Sequence, residues 1–120
     1  WDFGDMVRTA SRGAAEDERD LARVTAAPTQ LRALAEGYLY GTDALLTDAE
    51  IEHLAFAGRL LALEQGVRFL ADHLNGDTYY RIHRPGHNLD RARAQFALVR
   101  SLEARHAEFE RTIAELAALR

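Results

Sequence analysis

The sequence predicts an all-α protein of four or five helices, and three observations support this fold class. Apolar residues recur at spacings of three and four in the longer segments, as they do on one face of a helix. Beyond residues 1–3, no segment alternates with period two for long enough to predict a strand. Capping residues stand where the periodic segments begin and end. Because 120 residues suffice for one hydrophobic core, residues 1–120 are expected to form a single helical domain.

The N-terminal third contains the weaker helix patterns. Residues 1–15 are predicted to be a loop, since no periodic apolar pattern emerges there. The sequence EDERDLARVTAA, at 16–27, predicts a short helix with acidic residues in its first turn, where the helix dipole favours them. Thr29 is predicted to cap a second helix, QLRALAEGYLY, which ends at Gly41.

The longest clear pattern predicts a helix over 48–75. Thr47 and Glu50 form a capping box before it, and Asn75-Gly76 is a strong C-terminal stop. Two apolar stripes predict a central helix that packs on more than one side. The first stripe comprises Phe56, Leu60, Leu63, Val67, Leu70 and Leu74, and the second comprises Ile51, Leu54, Gly58 and Leu61.

A second long helix is predicted over 89–118, with Asn88 as its cap. The polar segment 77–88 contains Pro85-Gly86, a turn signal, so the two long helices should pack roughly antiparallel. The predicted core positions of this helix are Phe96, Val99, Leu102, Phe109, Ile113 and Leu116.

Composition excludes several kinds of function. The chain has no cysteine, so it lacks disulfides, thiolate metal sites and cysteine nucleophiles. All fifteen basic residues are arginine, so no nucleotide-binding lysine can come from this chain. The net charge of −4 gives no reason to expect nucleic-acid binding, and no apolar run is long enough to predict a membrane partner. The plain expectation is a cytoplasmic protein.

The N-terminal sequence WDFGDMVR contains the tripeptide Asp2-Phe3-Gly4, which in kinases is the metal-binding motif. A second aspartate, Asp20, follows in the run ERDLA. With the stretch EQGVRFLADHLNGDTYYRIHRPGHNLDRARAQFALVRSLE, this ensemble resembles the C-terminal helical lobe of the aminoglycoside phosphotransferase and hexosamine kinase-like family. The resemblance runs from Trp1 to about Glu103, nearly the whole chain.

The resemblance implies an ATP-dependent kinase of small molecules such as sugars, amino sugars or aminoglycosides. It implies that Asp2 is a ligand of magnesium. The nucleotide-binding lobe and the H-G-D-x-x-x-x-N catalytic loop are not in this sequence, so no catalytic residue is assigned. ATP and Mg²⁺ are therefore expected only in a longer enzyme, and the isolated chain is expected to be inactive and to bind neither. The expected partner is that missing catalytic portion or a second copy of the chain.

Four residues are candidates for binding the phosphoryl acceptor: Arg68, Asp72, Asn75 and Tyr79. The first three lie four and three residues apart, so they share one helical face with Glu64. In the resembled family this lobe contributes to the acceptor pocket, and carboxylates, amides and arginines beside aromatic rings suit a sugar. Two alternatives stay open: an ordinary solvated face with i,i+4 ion pairs, and a non-enzymatic interaction or scaffolding module.

Overall fold

The computed structural model describes residues 1–10, 14–42 and 45–119. Within these ranges the chain forms six α-helices and a 3₁₀ turn at Leu21–Arg23, without β-strands. This confirms the all-α fold. The helices are α1, Asp2–Ala10; α2, Pro28–Thr42; α3, Asp48–Glu52; α4, Leu54–Leu74; α5, His87–Ala104; and α6, His106–Ala118. None of the helices in these ranges is long and apolar enough to cross a membrane.

The N-terminal segment corrects the sequence prediction. Residues 2–10 of the predicted loop 1–15 are helical, because packing compensates for a weak local pattern. Phe3 and Val7 are fully buried, and the Phe3 ring lies 5.0 Å from that of Tyr38 and 6.1 Å from that of Phe109. A helix places Phe3 and Val7, four residues apart, on the same side. Residues 11–13 of the predicted loop lie outside the described residues.

The helix predicted over 16–27 is also wrong, since this segment forms turns and the short 3₁₀ helix. Its polar side chains bond to other parts of the chain instead. Asp17 contacts both Arg84 and His87, and the Ala26 N–H donates to Ser101 Oγ at 2.9 Å. The segment therefore runs along α5 from the start of the helix to its last turn.

Both long predicted helices exist, but each contains a break. The helix predicted over 48–75 is interrupted at His53, between α3 and α4, and that over 89–118 is interrupted at Arg105, between α5 and α6. These breaks raise the number of α-helices in the described ranges to six, against the four or five predicted. The capping box is confirmed, with the Glu50 N–H donating to Thr47 Oγ1 at 3.2 Å and the Thr47 N–H donating to Glu50 Oε1 at 3.1 Å.

Helix α4 is central, as predicted, because it packs against α1, α3, α5 and α6. Asp72 contacts Asn88, while Gly66 lies against Gln95 and Phe96, so α4 and α5 run antiparallel. The buried face of α4 is made largely of small residues. It comprises Leu54, Ala55, Gly58, Ala62, Gly66, Phe69 and Asp72.

This buried face contradicts the first predicted apolar stripe. In that stripe, which we call the α4 stripe, no member is buried and four are exposed. The exposed members are Phe56 at 39%, Leu63 at 45%, Val67 at 53% and Leu74 at 75%. The second stripe is closer to the observed face, since Leu54 and Gly58 are buried. In contrast, five of the six core positions predicted in 89–118 are buried, and Phe96 is half-buried.

Candidate functional site

The four predicted acceptor residues lie in a single open cleft at the C-terminal end of α4. The cleft has a volume of about 370 Å³, and we call it the Tyr79 cleft. One wall is the last turns of α4 and the other is the segment that follows the helix. Its lining residues are Arg68, Ala71, Asp72, Asn75, Thr78, Tyr79 and Tyr80.

A tight reversal of the backbone creates the second wall. Gly76 and Asp77 both have positive φ, 89° and 61°, and Asp77 is the one non-glycine residue of the described ranges in that region. The Asp77 N–H donates to the Asp72 carbonyl at 2.8 Å, and the Gly76 N–H donates to the His73 carbonyl at 3.3 Å. This pair of bonds is a Schellman motif, which ends α4 and turns the chain back along it. The predicted stop at Asn75-Gly76 is confirmed.

Asp72 is almost fully buried, and both of its carboxylate oxygens accept hydrogen bonds. Oδ1 accepts from the Tyr79 N–H at 2.8 Å, whereas Oδ2 accepts from the Tyr80 N–H at 2.9 Å and from Asn88 Nδ2 at 2.8 Å. The pKa of Asp72 is lowered, chiefly because the Tyr80 N–H stabilises the charged carboxylate, while burial acts in the opposite direction. A carboxylate in this state is a poor proton acceptor, so its geometry suits holding the wall.

Asn88 connects this wall to the first turn of α5. Its Nδ2 also donates to Asp77 Oδ1 at 3.0 Å, and its Oδ1 accepts from Arg91 Nη1 at 3.0 Å. Arg91 in turn donates to the Arg81 carbonyl and lies over the Phe69 ring, 5.6 Å from its centroid. Asn88 is therefore not the cap that the sequence predicted, since its amide is fully used by these contacts. Gly86, in the left-handed region, precedes the helix instead.

Two tyrosines form the aromatic part of the cleft. Tyr80 is half-buried, with its ring centroid 4.8 Å from that of Phe69 and its hydroxyl accepting from Gln65 Nε2 at 3.0 Å. Tyr79 is 80% exposed, and its ring meets that of Tyr80 edge-on at 4.8 Å. Tyr80 therefore supports Tyr79, and Tyr79 presents a ring to solvent at the mouth of the cleft.

Arg68 and Asn75 supply polar groups across from this aromatic wall. The Arg68 side chain is well exposed, and its Nε lies 3.7 Å from Glu64 Oε1. A surface i,i+4 pair of this kind contributes only about 0.3–0.5 kcal/mol, so Glu64 holds the guanidinium weakly. A guanidinium, an amide and the Thr78 hydroxyl beside a tyrosine ring can donate several hydrogen bonds to a polyhydroxylated ligand.

A second cleft, of about 330 Å³, lies between α2 and α6. Its charged residues are Arg32, Arg105 and Glu108, and Arg105 pairs with Glu108 at 3.5 Å. Its aromatic residue, Phe109, is buried, so no ring is presented to a ligand. We therefore regard the Tyr79 cleft as the better candidate.

Asp2 lies at the exposed first position of α1, and Asp5 lies one turn later, paired with Arg8 at 3.0 Å. Among the described residues, no three histidine or acidic side chains are close enough to hold a metal ion. Magnesium is commonly bound by one or two carboxylates with phosphate and water oxygens, so a single aspartate fits only a partial role. Magnesium binding by Asp2 stays a prediction.

The two residues after Asp2 have a packing explanation. Phe3 is fully buried in the core, and a Cβ added at Gly4 would lie 2.6 Å from the Ala57 carbonyl oxygen of α4. Glycine is therefore needed at this position for α1 to approach α4. The tripeptide that resembles a kinase motif thus lies in a helix whose apolar face contacts the core.

Sequence reasoning missed two residues that shape the cleft, Gln65 and Asn88. The Asn-Gly-Asp run did indicate a turn, but the long-range contacts of these side chains leave no local pattern. No protein-family model matches the chain. The resemblance to small-molecule kinases therefore stays an expectation based on the residues given above.

Proposed function

We propose that this chain is the C-terminal helical part of an ATP-dependent small-molecule phosphotransferase, and that the Tyr79 cleft binds its phosphoryl acceptor. The acceptor class is a sugar, an amino sugar or an aminoglycoside. One observation supports this most directly: Arg68, Asp72, Asn75 and Tyr79, chosen from the sequence alone, line the same open cleft. Arg68, Asn75 and Tyr79 would contact the ligand, whereas Asp72 would act from behind the wall.

In the longer enzyme, this chain would contribute Asp2 as one magnesium ligand and would leave nucleotide binding to the rest of the protein. Phosphoryl transfer depends mainly on positioning and on neutralising charge, so its groups can be supplied by separate parts of a protein. The isolated chain should neither bind ATP appreciably nor transfer phosphate. Because ATP would be the phosphate donor, a cytoplasmic location is part of this proposal.

A titration of the isolated chain tests the acceptor site directly. Ligand-observed NMR and calorimetry would be run with hexoses, hexosamines and aminoglycosides. We expect at least one of these classes to bind, and we expect Tyr79→Ala to weaken binding by about tenfold, a typical loss for an aromatic contact. Tyr40→Ala is the matched control, because Tyr40 is a comparably exposed tyrosine on α2.

No binding by the wild-type chain to any of the three classes would refute the acceptor site. Equal weakening by Tyr79→Ala and Tyr40→Ala would place the ligand elsewhere on the surface.

The competing proposal is a helical interaction or scaffolding module without enzymatic activity, and the α4 stripe favours it. An exposed apolar surface of this kind is typical of a protein–protein contact. The two proposals differ at Asp2 and Arg68: a scaffold needs neither residue, whereas the enzyme needs both in the longer protein.

A further inference from the structure

Asp72, Asn88 and the backbone N–H groups of Tyr79 and Tyr80 form a unit that we call the Asp72 clamp. We propose that the clamp fixes the aromatic wall of the Tyr79 cleft in its ligand-binding arrangement, so that Asp72 is a positioning residue rather than a ligand contact. The inference rests on the proposed function in so far as it concerns ligand binding. The clamp itself rests on geometry alone.

The first argument is that the wall has few other attachments. Tyr79 is 80% exposed, so its ring contributes little burial. Thr78 and Arg81, the residues on either side of the tyrosine pair, are also exposed. The side-chain contacts of Tyr80 described above hold its own ring and not the backbone of Tyr79. The carboxylate of Asp72 is thus the principal anchor of the backbone at this point.

The second argument is that the chemistry requires a carboxylate. Three donors converge on two oxygens, and Asp72 offers acceptors on both sides. Asparagine has the same shape but only one acceptor oxygen. In either orientation, its amide group would face at least one of the three donors, so a hydrogen bond would be replaced by a repulsive contact.

The third argument is that the clamp joins the wall to a rigid element. Asn88 is fully buried in the first turn of α5, and Arg91 fixes its orientation by donating to its Oδ1. Asp77, in its left-handed conformation, accepts from the same Asn88 amide group. The turn, the wall and α5 therefore move together, and a cleft held in this way loses little conformational entropy when it binds a ligand.

Two measurements on the 120-residue chain test the inference. Amide hydrogen exchange, measured by NMR, reports on the clamp without any ligand. We expect the N–H groups of Tyr79 and Tyr80 to be protected, and we expect Asp72→Asn to speed their exchange by about tenfold or more, while amides in the middle of α5 change little. The second measurement is the affinity for the sugar that binds the wild-type chain best, which Asp72→Asn should weaken by about tenfold or more.

Two further variants complete the experiment. Asn88→Ala removes one of the three donors and should produce a smaller effect in the same direction, which keeps the test decisive if Asp72→Asn does not fold. Glu36→Gln, a carboxylate-to-amide change at an exposed position of α2, is the control and should leave both measurements unchanged.

Unchanged exchange at Tyr79 and Tyr80 in Asp72→Asn and Asn88→Ala would overturn the clamp. Faster exchange with undiminished sugar affinity would overturn its positioning role. If the wild-type chain binds no sugar, the proposed function and the positioning role both fail, whereas the exchange measurement still decides whether the clamp exists.

Discussion

Tyr79 and Tyr80 are neighbours in the chain, yet they have different roles because their environments differ. The ring of Tyr80 packs on Phe69 and its hydroxyl bonds to Gln65, so it is part of the scaffold. The ring of Tyr79 is exposed and meets only the edge of the Tyr80 ring among the aromatic contacts described, while its backbone N–H is held by Asp72. The recognition that we propose for this cleft would therefore depend both on residues that contact solvent and on buried residues that hold them in place.

Arg68 is one of the residues of the cleft that contact solvent. In a longer protein that includes the catalytic portion, Arg68→Ala should raise KM for the acceptor by about tenfold or more, since a charge-assisted hydrogen bond is lost. The value of kcat should change little, because the ground state and the transition state share this contact. A coupled kinase assay with amino sugars, hexosamines and aminoglycosides measures both constants. Arg100→Ala, at an exposed position of α5, is the control.

Asp2 gives a different prediction. If Asp2 contacts magnesium, Asp2→Asn in the longer protein should keep most of the acceptor affinity, while turnover should fall about a hundredfold. A loss of this size is typical when one electrostatic contact to the transition state is removed. If Asp2 is only a first-turn helix acid, the change should cost about 0.3–1 kcal/mol of stability and leave turnover near normal. Kinetics and thermal melting of the same variant distinguish the two roles.

Acid should destabilise the chain through Asp17 and Asp72. The pKa of Asp17 is lowered, first by its hydrogen bond with His87, and that of Asp72 is lowered by the Tyr80 N–H. A carboxylate whose pKa in the folded state is below its ordinary value of 3.8 stabilises the fold when it is ionised. This stabilisation is complete above about pH 4 to 5 and is lost as the pH falls through the folded-state pKa and the carboxylate is protonated. Thermal melts from pH 7 to 2 should show the wild-type advantage over Asp72→Asn shrinking below about pH 4. A difference in melting temperature between the two proteins that stays constant from pH 7 to 2 would contradict a stabilising role of the ionised Asp72 carboxylate.

At the scale of elements, small residues bring the helices close together. Gly4 of α1 lies against the backbone of Ala57, and Gly58 of α4 lies against the Val7 side chain, so each helix offers a glycine to the other. The large side chains of α4 mostly point elsewhere. The helix crossing is thus stabilised by close backbone approach more than by interdigitating leucines.

Two glycine substitutions, one at this helix contact and one away from it, should have opposite effects on stability. Gly4→Ala should destabilise the fold by about 1–3 kcal/mol, because the new methyl group would meet a backbone oxygen that cannot rotate away. Gly37→Ala, in the interior of α2, should stabilise it by about 0.5–1 kcal/mol through helix propensity, because the added Cβ would meet no atom from outside its own stretch of helix within 4 Å. Denaturant unfolding measures both variants. A neutral or stabilising effect of Gly4→Ala would mean that α1 does not pack on α4 as described.

Local chemistry explains which elements could be predicted from the sequence. The capping box at Thr47 and the stop at Asn75-Gly76 depend on residues within one or two turns, and both are confirmed. Helix α1 and the orientation of α4 depend on tertiary packing, which favoured glycine and alanine over the larger residues that the periodicity had assigned to the core.

In the candidate site, too, features set by neighbouring residues could be predicted from the sequence, whereas features set by tertiary packing could not. Residues near one another in sequence, from Arg68 to Tyr79, could be grouped because a helix and the turn after it bring them together. Their roles could not be predicted in the same way. Asp72 becomes a buried anchor through Asn88, sixteen residues later, and this contact requires α5 to pack antiparallel on α4.

For the whole molecule, the unusual feature is the α4 stripe on the most central helix. Helix α4 contacts four other helices, yet one side of it exposes Phe56, Leu63, Val67 and Leu74. The stripe follows helical spacing from one end of α4 to the other, a length of about 27 Å at 1.5 Å per residue. Exposed apolar surface in a continuous row is costly in water and typically marks a contact with other protein.

We expect this stripe to make the isolated chain associate with itself, whereas in a longer enzyme the catalytic portion would be the natural partner. Sedimentation equilibrium at tens of micromolar should show species larger than a monomer. Leu63→Glu combined with Val67→Glu should shift the chain towards monomer, because burying two carboxylates in an apolar contact is strongly unfavourable. Tyr40→Glu, an exposed apolar-to-acidic change on α2, is the control and should leave the association unchanged. A clean monomer for the wild-type chain, or association unaffected by the double substitution, would show that the stripe does not mediate self-association.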